Sequence, residues 1–163
     1  MYDYISTKDI QTDVSKWISS NEYKFFISIQ LPAHLKSSSL EKSSKSLKKI
    51  FKSLEKDLLG RRWHKHHIPF IIFAEKGTSA KEFHFHILMR DNNGVTWFDF
   101  FTFSWVLRRT MDKFKLNEYN IHCEEITKTP EKLYSYVVKE LVADNKKRIN
   151  SERIIPSPAL FNL

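Results

Sequence analysis

The order of periodic segments predicts an α+β domain, a mostly antiparallel β-sheet with flanking helices. Three observations carry this. The stretch 23–32, YKFFISIQLP, sets Phe25, Ile27, Ile29 and Leu31 against Lys24, Phe26, Ser28 and Gln30, the alternation of a strand that Pro32 stops. Two more strand-length runs, 68–75 and 82–90, are joined by the short loop 76–81, as in a hairpin. Helical periodicities lie on either side, so the order reads β, α, β, β, α, β, α, which layers helices onto a sheet.

In chain order, residues 1–22 are polar with scattered aromatics and read as a partly ordered lead-in. Between 39 and 60, Leu40, Leu47, Ile50, Phe51, Leu54 and Leu58 recur at helical spacing, with Gly60 past the end. The lysines of that segment form its solvated face. RRWHKHH, 61–67, is a basic connector, and IPFIIFAE, 68–75, is a continuous apolar run that predicts a strand buried on both faces. DNNG, 91–94, is a turn. Thr96 with Asp99 resembles a capping box opening a helix through about Phe114. YNIHCEEI, 119–126, predicts another strand. Thr129 as N-cap and Pro130 in the first turn open a helix through about Val142. The tail, 144–163, carries Lys146, Lys147 and Arg148 and reads as less ordered.

A chain of 163 residues suits one domain, 1–163, around a single core, and 41% hydrophobic residues with 13 Phe and 4 Trp supply it. Three Gly and five Pro are too few for a disordered or fibrous chain. The formal net charge of +8 favours polyanionic partners, nucleic acid or an anionic membrane surface. One cysteine, Cys123, excludes an internal disulfide and a cysteine-rich zinc site. MYDYISTKDIQTD shows no secretory signal, and the most apolar segment, 97–107, is too short and too interrupted by Asp99 to span a bilayer. An intracellular protein with no membrane partner is expected.

The chemistry-bearing residues begin in FAEKGTSAKEFHFHILMR, 73–90. On a strand, side chains alternate, so His84 and His86 share one face while Phe83, Phe85 and Ile87 share the other. A hairpin returns Glu75 towards the histidine face. Two imidazoles and a carboxylate with open positions suit a divalent ion that does chemistry; two hydrogen-bonded histidines and a surface acid have the same signature. In TPEKLYSYVVKEL, helical spacing gathers Tyr134, Val137, Val138 and Leu141 on one apolar face. Tyr136 points away, with Lys139 three positions on. A phenol beside an ammonium has its phenolate favoured, and an ammonium can neutralise a phosphate oxygen, as a nucleophile on a phosphodiester requires. An exposed Tyr and Lys without a task fit the same pattern.

Other candidates are weaker. Arg61, Arg62 and Lys65 could contact phosphates with Trp63 stacking on a base, or the connector could be solvated with Trp63 packed down. His122 is either a structural residue or a fourth ligand, and Glu124 and Glu125 share that ambiguity. The aromatic helix from Trp97 to Trp105 reads as core covering the sheet, with Trp97 or Trp105 as alternative stacking groups.

Taken together, Glu–Lys–Gly, a short spacer, His–hydrophobic–His on a strand and a downstream Tyr-x-x-Lys helix resemble the HUH endonucleases. More narrowly, they resemble the origin-nicking domain of Rep replication initiators from small single-stranded DNA viruses and plasmids. FAEKGTSAKEFHFHIL is similar to parvovirus-type Reps, YVVK at 136–139 follows the circovirus and plasmid pattern, and the likeness orders elements from about residue 23 to 143. The resemblance implies a palm of antiparallel strands related to the ferredoxin and RRM arrangement. It implies metal ligands Glu75, His84 and His86 for Mg²⁺ or Mn²⁺, the nucleophile Tyr136 and its companion Lys139. It implies sequence-specific nicking and joining of single-stranded DNA, at an origin or hairpin, through a 5′-phosphotyrosine. Three glycines leave no phosphate-cradling loop, so a separate helicase is an expected partner. A single-tyrosine transposase of the same group and a non-catalytic RRM-like nucleic-acid-binding domain are the rival expectations.

Overall fold

The computed structural model describes residues 7–77, 83–90, 99–127, 130–139 and 153–157. Its elements are α1 (Thr7–Ser19), β1 (Tyr23–Gln30), α2 (Leu40–Leu59), β2 (Phe70–Lys76), β3 (Phe83–Arg90), α3 (Phe100–Lys113), β4 (Ile121–Glu125), α4 (Pro130–Lys139) and β5 (Ile154–Pro156). The fold is α+β. The strands form one antiparallel sheet in the order β4-β1-β3-β2-β5. From β1 to β4 the chain follows a β-α-β-β-α-β path, the split βαβ arrangement of ferredoxin-like folds.

Strand alternation divides the core in two. Phe25, Ile27 and Ile29 of β1, Phe70 and Ile72 of β2, and Phe85, Ile87 and Met89 of β3 face α2 and α3. Phe26, Ile71, Phe73 and Leu88 face the opposite way, towards Ile18 of α1 and Tyr134, Val137 and Val138 of α4. The continuous apolar run in β2 is thus explained, because both faces of that strand are covered. On the α2/α3 side, Phe25 and Phe103 stack with ring centroids 4.2 Å apart. α2 begins at Ser39, whose side chain accepts from the Lys42 backbone N–H, and ends at Gly60, where φ is 55°. Such a positive φ carries no steric penalty in glycine.

The two helices on that side are clasped by Asp57. Its carboxylate accepts from the Thr110 hydroxyl at 2.6 Å and from the Lys113 ammonium at 2.6 and 2.7 Å. Burial pushes the Asp57 carboxyl up, but these two hydrogen bonds and the fields of Lys113 and Arg109 outweigh it and hold it below the usual range. A group depressed in the folded state contributes stability above its unfolded pKa, about 3.9, and loses that contribution as pH falls through the folded value. Urea midpoints measured from pH 6 down to pH 3 should therefore fall more steeply for the native chain than for Asp57→Asn; parallel profiles would contradict the clasp.

Several expectations need correction. The lead-in 1–22 contains α1, an ordered helix with Ile18 fully buried and docked on α4. The tail contributes β5, held against β2 by Phe70 N–H donating to Ser157 Oγ (3.0 Å) and Ser157 N–H donating to the Phe70 carbonyl (2.8 Å). Asp99 itself caps α3, accepting from the Thr102 backbone N–H at 2.8 Å, so a helix start moves three residues past Thr96. Thr96, Thr129, Leu141 and the basic cluster 146–148 lie outside the described residues.

Candidate functional site

The antiparallel register places the histidine pair. On β3, His84 lies opposite Glu75 of β2 and Gln30 of β1, while His86 lies opposite Phe73 and Ser28. Directly paired residues share a face, so Glu75, His84 and His86 all project from the side of the sheet that carries α4. The carboxylate reaches diagonally to the inner histidine: His86 Nε2 and Glu75 Oε2 are 2.8 Å apart. His86 is only 5% exposed. Its ring stacks on Phe26 at 5.8 Å between centroids. Its Nδ1 is buried without a hydrogen-bond partner among the described residues.

Helix α4 then brings Tyr136 to the same place. The Tyr136 ring stands edge-on to His86 with centroids 5.3 Å apart, and Tyr136 is 50% exposed. Its helix mates divide as the 100° period requires: Tyr134, Val137 and Val138 are buried, and Tyr136 turns to solvent. Tyr134 packs edge-to-face on Tyr23, 6.2 Å between centroids. Burial pushes the Tyr134 phenol up, with Glu131 adding to the effect. Burial likewise pushes Tyr23 up to about 12 against the opposing pull of Arg90. Of these three phenols, Tyr136 alone combines contact with the histidine face and access to solvent. Lys139 closes α4, and its side chain lies outside what the structure describes.

Among the described residues no three His, Cys, Asp or Glu side chains converge as a ready-made metal cluster. The structure joins Glu75 to His86 and leaves His84 one pleat further out, half-buried and in register with Glu75. Two imidazoles and a carboxylate on one face are donor types that suit a divalent ion. In an octahedron with bonds of 2.0–2.1 Å, neighbouring ligand atoms are about 2.9 Å apart. The His86–Glu75 separation is close to that edge, but it is a hydrogen bond, so His86 Nε2 would have to turn from the carboxylate towards a shared ion.

The remaining candidates fall elsewhere. Arg61, Arg62, Trp63 and Lys65 follow α2 and precede the Phe70 end of β2, whereas Glu75 is near the far end of that strand. Trp63 packs against the α2/α3 core, with the Lys56 and Lys52 ammonium groups 4.4 and 5.6 Å from its ring centroid. The connector is thus not brought to the histidine face, and Trp63 is the packed-down residue of the two readings. His122 is exposed and lies 3.4 Å from Glu124. Its register partner is Ser28, which also pairs with His86, so it occupies the same face two strands away. Phe26, which supports the His86 ring, was legible only as an aromatic breaking the polar half of the β1 alternation.

No family model, curated protein or solved structure matches this chain. No helix among the described residues is long and apolar enough to cross a membrane.

Proposed function

We propose that this chain is an HUH-type nuclease that cuts and rejoins single-stranded DNA through Tyr136, in the manner of a Rep initiator of rolling-circle replication. The observation that supports it is the contact of a half-exposed Tyr136 with His86, itself bound to Glu75, on one face of the sheet. Glu75, His86 and His84 would hold Mg²⁺ or Mn²⁺, which when bound polarises a phosphoryl oxygen.

The chain's own groups do the rest. Glu75 fixes the His86 ring in plane and Phe26 supports it from below. Tyr136 gives up its phenolic proton, and its oxygen attacks the scissile phosphorus. The new O–P bond forms as the bond to the 3′-oxygen breaks, and that oxygen takes up a proton as a free 3′-hydroxyl. Because the phosphotyrosine keeps the ester linkage, an incoming 3′-hydroxyl reverses the step without ATP. Lys139 is the counter-charge assigned to the phosphate. Such a reaction belongs inside a cell, where single-stranded origins or hairpins are exposed, with a separate helicase supplying unwinding.

The test is direct. Incubation with a pool of single-stranded oligonucleotides and Mn²⁺ should give a protein–DNA species that survives denaturant and is absent when EDTA is added. Salt-sensitive binding that ignores EDTA and leaves no adduct would replace the nuclease with a non-catalytic binding domain.

A further inference from the structure

The three most exposed rings among the described residues gather away from the histidine site, around a groove between α3 and the edge strand β4. Phe101 is 81% exposed, Trp105 56% and Tyr119 87%. The groove, about 860 Å³, is lined by these three together with Arg108, His122 and Cys123, among others. Phe101 and Trp105 stand one turn apart on α3, and the Arg109 guanidinium lies 5.6 Å from the Trp105 ring centroid. The inward face of the same helix is fully used: Phe103, Leu107 and Met111 are sealed in the core. The exposed faces of these rings lie outside the core, and clustered exposed apolar surface is a mark of interaction sites.

We propose that this groove binds unpaired bases of the same single strand whose phosphodiester meets Tyr136, an inference that rests on the function proposed above. Flat rings interleaved with guanidinium groups make a stacking platform, since every base offers a π-face and Arg108 and Arg109 offer charge to the phosphates. The chain's excess of 27 basic over 19 acidic residues suits such a polyanion. Asp112 and Glu118 also line the groove, and Asp112 lies one turn from Arg108, so stacking on the rings is the main contact and the guanidinium groups only flank it. Position connects the two sites. His122 lines the groove yet belongs to the row that runs through Ser28 to His86. Two strand spacings separate those histidines, about 10 Å. A DNA strand crossing the face at His86 along this row would turn round the β4 edge to reach the groove on the α3 side. A protein segment added along β4 is the competing occupant, and it makes no use of the guanidinium groups.

The experiment compares the full chain, the double variant Phe101→Ala/Trp105→Ala and Tyr136→Phe, each titrated with fluorescent mixed-sequence single-stranded DNA of 8 and about 25 nucleotides. The side chains removed are solvent-exposed, and thermal melting checks that the double variant stays folded. The wild type and Tyr136→Phe should bind the longer strand more tightly than the shorter. The double variant should lose about 10- to 100-fold on the longer strand, the expected effect of removing stacking platforms. Equal affinities of wild type and double variant overturn the groove assignment, even if the variant then fails to bind some protein. Ring-dependent binding without any covalent adduct leaves the groove standing and removes only the proposed chemistry. No binding of either strand by the wild type overturns both.

Discussion

Tyr136→Phe is expected to abolish the covalent protein–DNA adduct while oligonucleotide binding survives. The substitution deletes one oxygen and keeps the ring. The edge-on contact with His86 at 5.3 Å remains, as does the helix that carries it. A loss of adduct in this variant therefore reports on the nucleophile and not on folding or on the shape of the site. Tyr134→Phe is the matched control. That phenol is buried against Tyr23 and pushed up by burial, so it is a poor source of phenolate and cannot meet a phosphodiester. Its removal should leave the adduct intact. Undiminished adduct in Tyr136→Phe, read on a denaturing gel after incubation with Mn²⁺, rejects the assignment; transfer of the adduct to Tyr134 would instead show that the two faces of α4 exchange roles.

The reason the sequence could nominate Tyr136 over Tyr134 is purely geometric. A helix with Val137 and Val138 on its buried side leaves no choice about where residue 136 points, and the structure agrees. The same holds for β1 and β3, whose period of two sorted Phe25, Ile27 and Ile29 from Ser28 and Gln30, and Phe85 and Ile87 from His84 and His86. Other features depend on contacts that no local pattern encodes. Among the described side chains of α1, Ile18 is fully buried in a polar segment, and the helix docks on α4. β5 is three residues long and is held by its antiparallel pairing with Ile71, Ile72 and Phe73 of β2 and by the Ser157–Phe70 contact beside it. The unequal treatment of the two histidines has a similar origin. Both lie on the right face, but the diagonal reach of Glu75 and the stack on Phe26 single out His86. For Trp63 the sequence leaves stacking and packing-down open, and the choice is made by the α2/α3 core and the lysines of α2 beside its ring.

Phe103→Ala should produce a large loss of stability. Phe103 is fully buried, and its ring lies parallel to that of Phe25, with an interplanar angle of 1°. Truncation removes the ring's transfer free energy, leaves a cavity between α3 and β1, and forfeits the stacking contact. Such substitutions cost about 3–5 kcal/mol, against a total stability of about 5–15 kcal/mol for a domain. The urea midpoint should fall by more than about 1 M at unchanged slope. A smaller shift would mean that Phe100, tilted against the same Phe25 at 6.3 Å, swings in to fill the space. The consequence for function follows from the division of the core. Phe103 touches the layer beneath the sheet, whereas His86, Glu75 and Tyr136 stand on the layer above it. Under conditions where the variant remains folded, adduct formation per folded molecule should match the wild type. If it collapses while the fold persists, the sheet is not the rigid partition that two independently packed faces imply.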